Sequence, residues 1–187
     1  MRLFALLCAF LALPAFAAEL EGVKLDDSVR AGAQELRLNG LALRTRLFFK
    51  VYVAGLYLPQ KTQSAQAALE MPGPKRITLV MLREVGRTAF SEALLESFAE
   101  SNGDLGLKLH KPKLDALLET LYGIGDAKKG MRIAFDFVPG TGTILTVDDS
   151  SRGKPIPGDD FSAALLKIWI GEGSVADNVK KALLGAP

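Results

Sequence analysis

The stretch that most restricts the fold is residues 41–58, L-A-L-R-T-R-L-F-F-K-V-Y-V-A-G-L-Y-L, closed by Pro59. Its β-branched and aromatic residues favour extended backbone over helix. It is longer than one ordinary strand, so it reads as two strands, or as one with a bulge near Gly55. At period two, Leu43, Leu47, Phe49, Val51 and Val53 share one face, and Arg44, Arg46, Phe48, Lys50 and Tyr52 share the other. An apolar face backed by a cationic one belongs to a half-buried sheet, which needs partners from the rest of the chain.

Those partners are visible by pattern. Residues 23–29 read as an extended lead-in, and residues 35–39 alternate as a strand that ends at the turn dipeptide Asn39-Gly40. Residues 64–71 read as a short helix capped by Ser64 and stopped by Pro72-Gly73-Pro74. Residues 76–83 read as a strand. Residues 88–101 have helical spacing, with Phe90, Leu94, Leu95 and Phe98 on one stripe, and Asn102-Gly103 ends them. A polar loop holding His110 leads to a helix over 112–122. Residues 131–138 and 143–147 form strands joined through Pro139-Gly140-Thr141-Gly142, followed by a turn over 148–153. Helices over 159–170, capped by Asp159 or Asp160, and over 175–184 complete the chain. No repeat or low-complexity linker divides it. One α+β domain follows: a large, mainly antiparallel sheet with helices on one side.

Residues 1–17 stand apart. Arg2 precedes an uninterrupted apolar run over 3–13, Pro14 breaks it, and Ala15-Phe16-Ala17 is a small-residue cleavage signature. The run is too short to span a bilayer core, which needs about 20 residues. A signal peptide over 1–17 and a domain over 18–187 are expected, hence a periplasmic or secreted protein with no integral membrane span. Cleavage removes Cys8, the single cysteine.

Composition narrows the chemistry. The 187 residues carry 23 Lys plus Arg, 21 Asp plus Glu and one His, a formal net charge of +2. A dedicated nucleic-acid binder shows a stronger basic excess. One Cys and one His build no zinc site, iron–sulfur cluster or disulfide. No G-x-G-x-x-G follows a strand, so no nicotinamide cofactor is expected, nor any other cofactor or metal. Asp148-Asp149 and Asp159-Asp160 sit beside turns and helix starts, where Asp serves as a cap. His110 has no Ser or Cys partner and reads as a surface residue. The cationic strand face remains. Where it is partly covered, Arg44, Arg46 and Lys50 need anionic partners. A forked guanidinium with the Tyr52 phenol beside it suits a carboxylate. Arg83, at the end of a neighbouring strand, adds to the patch.

The run from Arg44 through Phe49-Lys50-Val51-Tyr52-Val53-Ala54-Gly55-Leu56-Tyr57-Leu58 resembles the chalcone isomerase family, which shows a similar Lys-x-x-x-x-Gly-x-Tyr-Leu strand. Leu38-Asn39-Gly40, residues 138–143, Ile156-Pro157-Gly158-Asp159-Asp160-Phe161 and residues 164–171 extend the likeness over 22 to about 185. The bacterial exported branch is the most similar. The resemblance implies an open-faced β-sandwich with a ligand cleft between sheet and helices. It also implies that Arg44 is the family's functional arginine. Tyr52 stands where the plant enzymes carry a catalytic Thr, and there this chain is similar to the fatty-acid binders, which pair Arg with Tyr. Phe90 stands at the plant catalytic Tyr, Ser97 near an active-site Asn and Asp159 near a late Thr.

Three functions are therefore open. The leading expectation is a non-catalytic binder of a fatty acid or similar amphipathic carboxylate. Arg44 and Tyr52 would anchor the head group with Arg46, Lys50 or Arg83 helping, and Phe48, Phe90, Leu94 and Phe98 would line the tail channel. The second is an intramolecular lyase acting on a chalcone-like enone or other polyphenol, with Arg44 and Tyr52 catalytic. The third is an envelope module for a protein partner.

Overall fold

The computed structural model describes residues 18–185; the expected signal peptide at 1–17 lies outside them. A short hairpin, β1 (Ala18–Leu20) and β2 (Val23–Leu25), precedes a seven-stranded sheet. Its strands are β3 (Ser28–Ala31), β4 (Gln34–Arg46), β5 (Phe49–Leu58), β6 (Lys75–Met81), β7 (Arg132–Val138), β8 (Gly142–Val147) and β9 (Ser150–Ile156), each antiparallel to the next. The helices are α1 (Ala65–Glu70), α2 (Arg87–Ile124), α3 (Asp159–Ile170) and α4 (Asp177–Leu183). The sheet is curled and the helices pack on one face, the α+β architecture expected.

Strand alternation builds the core. Tyr52, Ala54, Leu56 and Leu58 of β5 point inward with Ile77, Leu79 and Met81 of β6 and Ile133, Phe135 and Phe137 of β7. Against them α2 sets Leu94, Phe98, Leu114, Leu117 and Leu121, and α3 sets Phe161, Leu165, Ile168 and Trp169, all buried. Side chains of this size contribute about 1.5–3 kcal/mol each on full burial. A smaller cluster of Ala31, Leu36, Leu38 and Tyr57 covers part of the other face. On that face Arg76 grips Asp136 with both Nε and Nη2, at 2.5 and 2.7 Å. The two residues are cross-strand neighbours, so each buried charge is paired.

Four local expectations are corrected. Asn39-Gly40 is not a turn, because β4 runs through it. The Asn39 amide donates to Leu183 O (2.7 Å) and Thr62 O (3.0 Å), and its oxygen accepts from Thr62 N (2.8 Å). At Gly40 a Cβ would lie 2.2 Å from Ala182 O, so only glycine admits the end of α4. The polar segment around His110 is helical: α2 is broken only at Gly103 (φ 65°, ψ 180°). His110 is buried, its ring 6.1 Å from Phe98 and 5.9 Å from Phe161. The expected turn at 148–153 shrinks to Asp148 and Asp149, both at positive φ, and the remainder is β9. Gly158, not an Asp, caps α3, while Asp159 and Asp160 occupy its first turn. They complement the helix dipole there, and Asp159 accepts from Gly140 N. The Ser64 cap of α1 is as expected, its Oγ accepting from Ala67 N.

Two predictions follow from these contacts. Asn39→Ala orphans three backbone groups at once and is expected to lower stability by about 3 kcal/mol in urea unfolding; a loss under about 0.5 kcal/mol would show that the clamp is dispensable. Tyr57 donates to Asp26 O (3.1 Å), and burial, reinforced by the Asp26 charge, pushes its phenol up to about 12. A group whose folded pKa is raised favours the fold below its unfolded pKa, near 10. That contribution is lost as pH climbs from 10 through about 12, a fall on the order of 2–3 kcal/mol. Tyr57→Phe is expected to flatten this alkaline fall; an unchanged profile would assign it elsewhere.

Candidate functional site

The β4–β5 hairpin turns at Leu47 and Phe48, so residues 41–58 supply the end of one strand and the whole of the next. Leu47 holds φ 55°, the left-handed region a bulky residue rarely enters. Two residues above the turn the register shifts: Arg44 pairs with Tyr52, whereas Thr45 pairs with Lys50. Val51 is thus the extra residue of a bulge. The bulge exchanges faces along β5. Tyr52 and Val51 reach the helix side, and Lys50 is sent to the other side, where its Nζ lies 2.6 Å from Glu21 Oε2.

Between this hairpin and the first turns of α2 lies a cavity of about 390 Å³, a size that suits a small molecule. Ala89, Ala93 and Ser97 line it at four-residue spacing, and their small side chains hold the helix clear of the sheet. Phe90 and Leu94 flank that row, while Leu79, Ile168 and Trp169 form the buried floor. The outer rim is made by Arg46, Leu47, Phe49 and Arg83, with Arg83 Cζ 4.5 Å above the Phe49 ring.

Polar groups converge on one wall. Arg44 and Tyr52 are direct cross-strand partners, and both line the cavity. Arg44 donates through Nη1 to Thr45 O (3.1 Å), and its other N–H groups form no ion pair with a described carboxylate. The Tyr52 oxygen accepts from Trp169 Nε1 (3.3 Å), which leaves the phenolic hydrogen free to donate. Burial pushes the Tyr52 phenol up, and neither the Trp169 N–H nor the Arg44 charge cancels it. Tyr52 is therefore a neutral donor beside a fixed cation, an arrangement complementary to a carboxylate.

The expected residues divide. The structure brings Arg44, Tyr52, Arg46, Arg83, Phe90 and Leu94 to one cavity. Phe98 packs deeper, in the core. Lys50 lies outside the cavity because the bulge reverses its face, and Phe48 lies outside it because it sits at the hairpin tip, 96% exposed. Trp169 packs in the core and also fixes the Tyr52 hydroxyl. The alanines of α2 went unmarked, although Ala89, Ala93 and Ser97 at i, i+4 and i+8 are the signal of a helix face kept thin. Among the described residues no cluster of His, Cys, Asp and Glu could hold a metal ion.

The crystal structure of a fatty-acid binding protein from Arabidopsis thaliana has a similar fold, with a TM-score of 0.66 over 87% of this chain and 92% of that one, at 16% identity. No curated protein sequence matches. The chain does match the family described as chalcone isomerase-like, over residues 17–185. That span takes in every strand and helix of the curled sheet and its helical cover, and the chain belongs to the chalcone isomerase-like family.

Proposed function

We propose that the protein binds a fatty acid or similar amphipathic carboxylate in this cavity and does not transform it. The observation that carries the reading is the Arg44–Tyr52 pair: a cation with no described carboxylate partner, next to a phenol that keeps its proton, on the wall of an otherwise apolar cavity. The acid's two oxygens would take the guanidinium and the phenol, and its chain would lie against Phe90, Ala93 and Leu94. The fold shared with a fatty-acid binding protein supports the same reading. Cyclisation of an enone has less to draw on here. Phe90, which the family resemblance aligns with the plant enzymes' catalytic tyrosine, brings to the cavity a phenyl ring with no hydroxyl to polarise a ketone. We further propose that the protein works in the periplasm, or is secreted, after loss of residues 1–17. The apolar run and Ala15-Phe16-Ala17 support this.

Titration with a fluorescent fatty-acid analogue tests the site. Arg44→Ala is expected to weaken binding by about tenfold to a hundredfold, and Tyr52→Phe by a smaller factor near tenfold, the range for hydrogen bonds to a charged group. Ala93→Trp fills the cavity and is expected to abolish binding while the protein stays folded. Undiminished affinity in both Arg44→Ala and Tyr52→Phe would sink the anchor. For the location, the protein recovered from the cell envelope is expected to begin at Ala18; an intact Met1 in the mature protein would overturn it.

A further inference from the structure

The tip of the β4–β5 hairpin is strongly apolar and strongly exposed. Leu47, Phe48 and Phe49 are 84%, 96% and 57% exposed, three consecutive apolar side chains held out into solvent. They form a point, not a face. Leu47 takes a left-handed backbone conformation normally left to Gly or Asn, so the turn is built around an apolar residue at a steric cost. A costly local conformation at an exposed position points to a use for the side chain.

Cations surround the tip. Arg46 and Lys50 flank the three residues in sequence, and Arg83 stacks on Phe49. Carboxylates nearby are engaged: Glu21 with Lys50, Glu96 loosely with Arg46 at 3.8 Å, and Glu84 with Lys128. Arg44 and Arg83 remain without a described carboxylate partner, so the tip region carries a local positive excess. The same residues form the cavity rim: Leu47, Phe49, Arg46 and Arg83 all line the opening. Whatever the tip touches, the cavity opens onto it.

We propose that this hairpin tip docks into the surface of an anionic phospholipid bilayer, with Leu47, Phe48 and Phe49 entering the headgroup–acyl boundary and Arg46 and Arg83 meeting the phosphates. Apolar residues ringed by Lys and Arg are what an interfacial anchor requires. A second copy of the chain fits less well. The three side chains offer on the order of 400 Å², against the roughly 800 Å² per partner of a stable protein interface. Docking sets the cavity mouth against the lipid, so an acyl chain passes between bilayer and cavity without crossing water. That last step rests on the fatty-acid reading; the docking does not.

The test keeps the two apart. The purified protein, with no acyl ligand added, is floated with vesicles of phosphatidylcholine alone and with vesicles containing phosphatidylglycerol. Phe48 does not line the cavity, so Phe48→Asp leaves the binding site untouched. The wild type is expected to float with the anionic vesicles, less so at high salt, with each surface cation contributing about fivefold. Phe48→Asp is expected to lose at least about tenfold in partitioning, the factor for withdrawing one aromatic side chain, while its affinity for the fluorescent fatty-acid analogue stays unchanged. Wild-type protein that stays with the soluble fraction would overturn the proposal. So would equal flotation of Phe48→Asp, or a concentration-dependent dimer that the substitution abolishes. A protein that floats but binds no fatty-acid analogue would retain the docking and remove only the ligand.

Discussion

The pairing of Arg44 with Tyr52 across β4 and β5 is the constraint on which the rest of the site depends. It holds only because a bulge at Val51 sets Tyr52, rather than Lys50, on the helix side. From there the phenol reaches across the core to Trp169 of α3, a hydrogen bond that joins sheet and helix layers between residues 117 apart in sequence. That bond orients the hydroxyl and also ties the back of the cavity to the most apolar helix of the fold. A change in the bulge would rotate Tyr52 outward, unpair the indole N–H and leave Arg44 facing an apolar helix alone.

A cavity of about 390 Å³ also raises a question of stability. As a sealed void in an unrelaxed core it would cost about 9 kcal/mol at about 24 cal/mol per Å³, as much as the whole net stability of many domains. The structure avoids that cost by placing the space at the edge of the core. Leu79, Leu94, Ile168 and Trp169 close one end, and half-exposed or exposed residues make the other, so the space opens to solvent. The main core, with Phe98, Phe135, Phe161 and Leu165, is packed independently further along the sheet. An anion bound at Arg44 would add to stability by mass action.

Much of this was legible in the residues. Alternation located the sheet, the stripe on 88–101 located a helix that covers it, and the motif around Lys50 to Leu58 pointed to the family. The failures have physical causes. Period-two reading assumes an unbroken strand, and 41–58 contains both a turn and a bulge, each of which resets the faces; Lys50 and Phe48 were misplaced for that reason. Asn39-Gly40 has the composition of a turn, but a glycine also permits close approach of another backbone, and the helix end that approaches lies more than 140 residues later. His110 sits among lysines, and only the break at Gly103 directs its ring back onto Phe98 and Phe161.

The exposed hairpin tip and the buried anchor are two ends of one structural device. The turn residues Leu47 and Phe48 are fixed by the same register that sets Arg44 opposite Tyr52, because only four residues of β4 and β5 separate turn from bulge. Arg83 links the ends: it leaves β6 at the cavity rim and stacks on Phe49, so the tip is braced against the neighbouring strand rather than free to swing. A braced tip presents its apolar side chains at little further entropic cost on docking. The cavity behind it stays shaped for a ligand whose head group is acidic and whose remainder is apolar. Both properties follow from a single hairpin whose residues alternate between cations and hydrophobes, and the bulge decides which of them face outward and which face the core.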